Sequence, residues 1–345
     1  MTMFTKIIAT VGPNTEASES LLALFKAGVN MLRVNFSHAS YAQFKRIKKV
    51  VDKYNLNADE KVTLMLDLQG PRIRVGIMPE GGILMLKEEL YTFTYSKKPY
   101  VKKGDIIPID NLDLCQDIKK GEMLFLCNGA IELQVTAVKN KMITAKVING
   151  GVLNSRKAIN VPDTNIKRGG MTPKDLKDAR FAIKNEADYI ALSFVQTASD
   201  VLRLRKMLGK KSKIKIISKI ERGIALKNID KIISASDVIM VARGDLGIET
   251  PIEDLPIIQK NLVRHTHWHN KPVIIATQVM TSMIKNAHPT RAEISDIANA
   301  VFDGADMIML SDETAVGDFP VEAVKILKRV IKRTEENIYK TNIIN

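Results

Sequence analysis

The sequence predicts an α/β protein, a (β/α)8 TIM barrel with a small all-β lid domain inserted into it. Eight short apolar runs rich in Val and Ile recur along the chain, with helical patterns between them. Such runs indicate parallel strands buried on both faces, and eight of them indicate a closed barrel. One connection between two runs is too long for a loop and carries its own strand and turn signals.

The predicted barrel strands follow one another along the chain, with the one long connection between the third and the fourth. They cover residues 6–10, 31–35, 62–67, 189–193, 214–219, 238–241, 273–277 and 307–311. Polar residues close these runs: Thr10, Asn35, Ser37, His38, Asp67, Ser193, Lys219, Asp245, Thr277, Ser311 and Glu313. Since the carboxyl ends of barrel strands meet at one rim, we expect these side chains to converge there. For Ser193, Thr277 and Ser311, capping of the following helix is an alternative that does not exclude catalysis.

The long connection defines the predicted domain boundaries. It contains turn signals around residues 104–110 and 150–151 and alternating segments at 131–138 and 142–147. We expect residues 72–163 to form a β-barrel-like lid, and residues 1–71 with 164–345 to form the barrel. A lid of this kind would close over the barrel mouth and exclude water from the reaction.

Two acidic residues just past neighbouring strands predict a metal site. Glu221 lies in Lys219-Ile220-Glu221, and Asp245 follows the next strand in a glycine-flanked turn. Two carboxylates suit Mg²⁺ or Mn²⁺, which share their other ligands with water and a phosphorylated substrate. Lys219 would then place a positive charge where a phosphoryl group accumulates negative charge. An exposed ion pair is the alternative explanation of a short Lys-x-Glu pattern.

Further motifs occur in a characteristic order along almost the whole chain. They are Thr-Lys-Ile-Ile-Ala-Thr-Val-Gly-Pro at 5–13, Arg-Val-Asn-Phe-Ser-His at 33–38, Asp-Leu-Gln-Gly-Pro-Arg-Ile-Arg at 67–74, Ala-Arg-Gly-Asp-Leu-Gly at 242–247, Ala-Thr-Gln at 276–278, Pro-Thr-Arg-Ala-Glu at 289–293 and Met-Leu-Ser-Asp-Glu-Thr-Ala at 309–315. With Lys-Ile-Glu at 219–221, these segments closely resemble the pyruvate kinase family. The resemblance implies the same barrel and β-lid.

The resemblance also implies an activity, the transfer of a phosphoryl group from phosphoenolpyruvate to ADP, giving pyruvate and ATP. The matching catalytic residues are Lys219, Thr277, Arg33, Ser311 and Glu313. Substrate would be bound by Arg33, Lys219, Thr277 and the backbone of Gly244 and Asp245, and the divalent metal by Glu221 and Asp245. The matching nucleotide-binding residues are Pro13, His38, Arg74 and Lys174.

The family's monovalent-cation site is matched, with one telling departure. Its ligands correspond to Asn35, Ser37, Asp67 and the carbonyl of Leu68. Arg72 stands where potassium-dependent members carry a glutamate, so we expect K⁺ not to be required, because a guanidinium is a permanent positive charge. A solvated hinge charge is the alternative role for Arg72.

Other departures leave a second function open. Arg222, Asp312 and Gln196 replace the family's usual residues, and Cys-Asn-Gly at 127–129 replaces an Asp-Asp-Gly turn, so that Asn128 removes a carboxylate. A barrel enzyme acting on another enol phosphate or enolate substrate is therefore an alternative, and a non-catalytic regulator is a third. The family's carboxyl-terminal regulatory domain is expected to be absent, and the chain to be a homodimer or a monomer.

Composition excludes other classes of partner. The formal net charge is +14, but the basic residues between 203 and 215 lie on a predicted helix and turn without interleaved aromatics, so no nucleic-acid binding is expected. The chain carries neither a membrane-spanning apolar run nor a signal-peptide pattern, and its two cysteines give no disulfide framework. We therefore expect a cytoplasmic protein without membrane contact.

Overall fold

The computed structural model describes residues 4–102, 104–166 and 170–342, without the side chains of 339–342. The first part of the chain alternates strands and helices. It comprises β1 (Lys6–Val11), α1 (Ser18–Ala27), β2 (Met31–Asn35), α2 (Tyr41–Asn55) and β3 (Thr63–Asp67). Gly28 ends α1 in the left-handed conformation at φ 116°, which glycine adopts without a steric penalty.

The segment after β3 forms a separate sheet. Its elements are β4 (Ile73–Arg74), β5 (Ile83–Met85), β6 (Leu90–Tyr95), β7 (Ile107–Ile109), α3 (Leu114–Asp117), β8 (Met123–Leu126), β9 (Ile131–Lys139), β10 (Met142–Asn149), β11 (Gly151–Leu153) and β12 (Ala158–Asn160). Seven of them pair in the order β4-β12-β8-β9-β10-β6-β7, and β11 pairs with β5. A bridge between Val75 and Ile109 brings the two edges of the larger sheet together. The short helix α3 is the departure from the predicted all-β segment.

The rest of the chain returns to alternating strands and helices. It comprises α4 (Pro173–Lys184), β13 (Tyr189–Leu192), α5 (Ala198–Leu208), β14 (Lys215–Ile220), α6 (Gly223–Leu226), α7 (Ile229–Ala235), β15 (Val238–Ala242), α8 (Arg243–Glu249), α9 (Leu255–Trp268), β16 (Val273–Ala276), α10 (Arg291–Phe302), β17 (Met307–Leu310), α11 (Asp312–Ala315) and α12 (Pro320–Asn342). Two 3₁₀ turns lie at Ile252–Asp254 and Thr281–Ile284. Capping boxes begin α4 at Thr172 and α10 at Thr290.

Eight parallel strands close into a barrel in the order β1-β17-β16-β15-β14-β13-β3-β2. Closure is made by β1, which pairs with β2 on one side and with β17 on the other. The predicted (β/α)8 barrel is therefore confirmed, with every strand end within one residue of the predicted one. In the described part of the chain, no helix combines the length and apolar character that crossing a membrane requires.

Three buried clusters account for the packing. One lies between the barrel strands and the surrounding helices, and one fills the inside of the inserted sheet. The third fills the barrel interior, where Met31, Met65, Met240, Met307 and Met309 pack against smaller side chains. Methionine suits this space because its flexible thioether fills irregular gaps.

Candidate active site

The lysine at the carboxyl end of β14 is the centre of the site. Lys219 Nζ donates to Ser193 Oγ at 2.7 Å and lies 3.3 Å from Asp67 Oδ1 and 3.0 Å from Glu221 Oε1. Arg33 Nε, from β2, donates to Asp67 Oδ2 at 2.7 Å. Four strands thus bring two cations, two carboxylates and a hydroxyl together at one rim, as the sequence predicted.

Burial makes the charges of this cluster depend on one another. Burial alone would raise the pKa of Asp67, but Lys219 and Arg33 outweigh it and hold that pKa below its ordinary value. Burial alone would lower the pKa of Lys219, but Asp67 and Glu221 outweigh it and raise that pKa. The amine is therefore protonated at neutral pH, and a positive charge is held at the rim on a side chain that is only 10% exposed.

Glu221 and Asp245 have the chemistry of a divalent-metal site. Burial raises the pKa of Glu221; Lys219 opposes that shift, and the nearby charge of Asp245 adds to it. Such an acid is stabilised by an added positive ion. Within the described ranges, no three His, Cys, Asp or Glu side chains form a complete metal cage. Two hard oxygen ligands fit Mg²⁺, which keeps waters and completes its shell with substrate oxygens.

Arg72 contacts the carboxylate of Asp245 directly. Its guanidinium forms an ion pair with Asp245 and lies 5.7 Å from the centre of the Phe194 ring. Arg72 belongs to the segment that leaves the barrel for the inserted sheet. A metal ion at Asp245 therefore has to compete with Arg72 or share the carboxylate with it.

Thr277 has an unusual backbone that is held from behind. Its φ is 66° and that of Gln278 is 53°, a left-handed conformation that is costly for a β-branched residue. Arg243 donates to the carbonyl oxygens of both residues, at 3.0 and 2.8 Å, and is itself held by Asp296 at 2.7 Å. In front, Thr277 Oγ1 accepts a hydrogen bond from Gly244 N at 2.7 Å.

Ser311 and Glu313 lie together after β17. Glu313 is buried and accepts from Ser311 N at 2.7 Å and from Met280 N at 3.0 Å. Among the described residues, the buried Ser311 Oγ has no hydrogen-bond partner. Ser311 occupies the N-cap position of α11, but its side chain makes no capping bond. The hydrogen-bonding capacity of this hydroxyl is therefore not used by the described part of the chain.

The residues predicted for a monovalent cation lie around Asp67. Strand register pairs Asn35 with Asp67, and Asn35 Oδ1 accepts from Ser37 N at 3.0 Å. The carbonyl of Leu68 accepts from Ser193 Oγ at 2.7 Å. The Asp67 carboxylate already faces the two cations Arg33 and Lys219.

The four predicted nucleotide residues come from separate parts of the chain. Pro13 follows β1, His38 is exposed after β2, and Arg74 lies on β4 of the inserted sheet. Lys174 Nζ donates to Phe36 O at 2.5 Å and to Asp178 Oδ2 at 2.6 Å. Two of the three hydrogens of the Lys174 amine are therefore already used by Phe36 and by its own helix α4.

Sequence reasoning missed the support given by Ser193 and Arg243. Ser193 joins Lys219 to Leu68, although the sequence suggested only a rim position or a cap for it. Arg243 holds the backbone of Thr277. The signals available were their places beside functional motifs, at the end of β13 and before Gly244.

Comparison with known proteins identifies the family of the chain. The family model described as the pyruvate kinase barrel domain matches residues 2–324. The chain belongs to the pyruvate kinase family. It is 41% identical to a pyruvate kinase of Agrobacterium vitis over 332 residues, covering 96% of this chain and 69% of that one. It is 41% identical to a pyruvate kinase of Thermococcus litoralis over 335 residues, covering 96% and 70%.

A solved pyruvate kinase also has the same architecture. A pyruvate kinase from Cryptosporidium parvum superposes with a TM-score of 0.92 at 36% sequence identity, covering 97% of this chain and 70% of that one. The resemblance read from the motifs is thus confirmed by sequence and by structure. Enzymes of the pyruvate kinase family are phosphotransferases that use a divalent metal.

Proposed function

We propose that this member of the pyruvate kinase family transfers the phosphoryl group of phosphoenolpyruvate to ADP and forms pyruvate and ATP. The observation that carries the proposal is the protonated amine of Lys219, held at the rim by Asp67, Ser193 and Glu221. A fixed cation stabilises charge on a phosphoryl group in transfer without reorganising at the moment of reaction.

The barrel residues divide the substrate between them. Arg33, held by Asp67, would bind the phosphate of phosphoenolpyruvate, and Lys219 would stabilise the phosphoryl group as it moves. The backbone amides of Gly244 and Asp245, with Thr277, would receive the carboxylate. Because Gly244 N donates to Thr277 Oγ1 in this structure, the substrate carboxylate would replace that hydrogen bond.

Glu221 and Asp245 would hold Mg²⁺ or Mn²⁺. The ion, when bound, supplies positive charge to phosphoryl oxygens. The neighbouring carboxyl of Glu221 is oriented from behind by Phe194 N, which donates to Oε2 at 2.6 Å.

To become pyruvate, the enolate has to take up a proton, and we assign this step to residues that follow β16 and β17. Thr277, Ser311 and Glu313 would support a water relay there. The unpartnered hydroxyl of Ser311 supports this role, because it can pass a proton. Glu313 would orient Ser311 through its hydrogen bond with the backbone amide.

Pro13, His38, Arg74 and Lys174 are proposed as the nucleotide-binding residues. Lys174 has one hydrogen left for a phosphate oxygen after its two bonds within the barrel. Arg74 is the member of the set on the inserted sheet, so its distance from the other three depends on how that sheet is held.

We also propose that K⁺ is not required. The compensation of Asp67 by Arg33 and Lys219 supports this, because a site at Asn35, Ser37, Asp67 and Leu68 would add a third positive charge to one carboxylate. Arg72→Glu is expected to create a potassium requirement. Rates of parent and variant in K⁺ and in tetramethylammonium test this, and strong potassium activation of the parent would contradict it.

A coupled assay for pyruvate is the decisive test of the function. Phosphoenolpyruvate is supplied with Mg²⁺ and either ADP or GDP. We expect turnover that depends on the divalent metal and on a nucleoside diphosphate. Lack of pyruvate with every nucleotide would favour the alternative, in which the barrel acts on another enol phosphate.

The remaining predictions concern assembly and location. A homodimer through the segment at residues 289–293, or a monomer, is proposed and would be distinguished by light scattering. A cytoplasmic location accompanies the proposed substrates, which are those of glycolysis.

A further inference from the structure

A buried arginine joins the barrel to the segment that returns from the inserted sheet. Arg222 NH2 donates to the carbonyl oxygens of Val161 and Thr164, both at 2.9 Å. Its Nε forms an ion pair with Glu249 Oε2 at 2.8 Å. The side chains of Arg222 and Glu249 are 8% and 1% exposed, so these bonds are shielded from solvent.

The same pair reaches both elements that carry the metal carboxylates. Arg222 directly follows Glu221, and Glu249 lies one helical turn after Asp245 on α8. Glu249 Oε1 also accepts from Asn160 Nδ2, at the end of β12, at 3.2 Å. The end of β14, helix α8 and the returning segment are thereby linked through two side chains, which we call the Arg222–Glu249 brace.

A small cavity adjoins the brace. Its volume is about 20 Å³, and Arg222, Glu249, Asn160 and Gln196 are among its lining residues. Among the described residues, the buried Asn160 Oδ1 and Gln196 Oε1 have no hydrogen-bond partner. Space for one water molecule, with two hydrogens to donate, matches these two acceptors. The segment that returns from the inserted sheet is therefore surrounded by polar groups, whose hydrogen bonds favour one position of its backbone.

We propose that Arg222 is a positioning residue, which fixes the orientation of the inserted sheet relative to Glu221 and Asp245. A buried ion pair adds little net stability compared with apolar side chains, but it can specify an arrangement. Here the arrangement decides where Arg74, on β4, stands relative to the barrel rim. This inference rests on the proposed function, in which Arg74 binds the nucleotide while phosphoenolpyruvate is bound by barrel residues.

The experiment compares two variants of the brace with the parent enzyme. Arg222→Lys keeps a charge beside Glu249 but loses the fork that holds both carbonyls. The double variant Arg222→Met with Glu249→Leu removes the fork without leaving a buried charge unpaired. Arg205→Lys is the control, since Arg205 also bonds a carboxylate, Asp237, and a carbonyl, that of Ala235, away from the rim.

Two measurements are made on each protein. Hydrogen exchange reports the opening of residues 158–166, and steady-state kinetics give KM for ADP and for phosphoenolpyruvate. In both brace variants we expect exchange there to rise about tenfold and KM for ADP to rise about tenfold, because hydrogen bonds to a charged group are lost. KM for phosphoenolpyruvate should stay within about threefold, and Arg205→Lys should resemble the parent in both measurements.

Parental exchange and parental KM for ADP in the double variant would overturn the proposal. So would an equal rise of both KM values, because that would indicate a general structural defect. If the parent itself makes no pyruvate, the proposed function fails. The exchange measurement would then still decide whether Arg222 holds the returning segment.

Discussion

The barrel and the inserted sheet have equally buried interiors, but they are built in different ways. Every residue of β15 is buried, because this strand has the barrel interior on one face and helices on the other. In β9, buried Ile131, Leu133 and Val135 alternate with more exposed residues, because one face of the inserted sheet meets solvent.

The difference explains where the chemistry lies. Barrel strands are held from both faces, so the side chains at their ends, such as Lys219 and Asp67, have fixed positions. The inserted sheet is joined to the barrel by two short segments. Arg72 of the first segment contacts the barrel, and Arg222 of the barrel contacts the second segment. The distance of its side chains from the site therefore depends on the orientation of the whole sheet.

The largest expected effect separates the two interiors. Phe93 is fully buried in the inserted sheet, and Phe93→Ala should lower the free energy of unfolding of that sheet by about 3–5 kcal/mol. Because the sheet has its own core, calorimetry should show one transition lowered and the barrel transition unchanged. Phe44→Ala should lower the barrel transition instead. One common transition, moved equally by both changes, would contradict separate cores.

Lys219→Met tests whether the fixed positive charge of this barrel residue acts in the reaction. Loss of one electrostatic stabiliser should reduce kcat by about 10²–10³-fold, while circular dichroism and Mn²⁺ binding stay close to those of the parent. Lys215→Met is the control, because Lys215 is exposed at the opposite end of the same strand. A variant within a few-fold of the parent would remove Lys219 from the mechanism.

Asn128→Asp tests how the inserted sheet contributes. Asn128 lies in a left-handed turn at φ 58°, which Asp also tolerates, and Gly129 beside it approaches Ile248 of the barrel. A restored carboxylate should lower KM for the metal–ADP complex by up to about fivefold, because it adds about 1 kcal/mol of attraction in a solvated site. KM for phosphoenolpyruvate should not change. An unchanged KM for ADP would place this turn outside nucleotide binding.

The smallest effect should be the same in both regions. Lys146 pairs with Glu88 at 3.1 Å on the inserted sheet, and Lys48 pairs with Asp52 at 2.9 Å on α2. Both pairs are at the surface, so Lys→Met at either position should change stability by no more than about 0.5–1 kcal/mol. Urea denaturation measures this. A larger loss in one region would mean that surface charge, and not only the core, distinguishes them.

The barrel could be predicted because its strands carry their own signal. Residues 31–35 were predicted as a strand and form β2, and the prediction at 214–219 is displaced by one residue from β14. In the inserted segment the strand pairing could not be predicted, because unusual turns set it. Asn140 and Lys141, which join β9 to β10, both have positive φ although neither is glycine.

The candidate site was predictable in its members but not in their contacts. Motifs marked Arg33, Lys219 and Glu221, and parallel strands placed them at one rim. The ion pair of Arg72 with Asp245 depends on the angle between the two bodies, which no local pattern encodes. Arg222 could be recognised as a departure, but its burial among hinge carbonyls required the fold.

Barrel closure has a consequence for the newly made chain. Thr10 near the end of β1 donates to the carbonyl of Leu310 in β17, and the two residues are 300 positions apart in the sequence. Contacts of such separation form late. At a synthesis rate of about 5–20 residues per second, β1 waits roughly 15–60 s before its second neighbour exists. Until then one edge of this apolar strand is unpaired and can pair with other chains. The risk of aggregation during synthesis therefore lasts until β17 has been made.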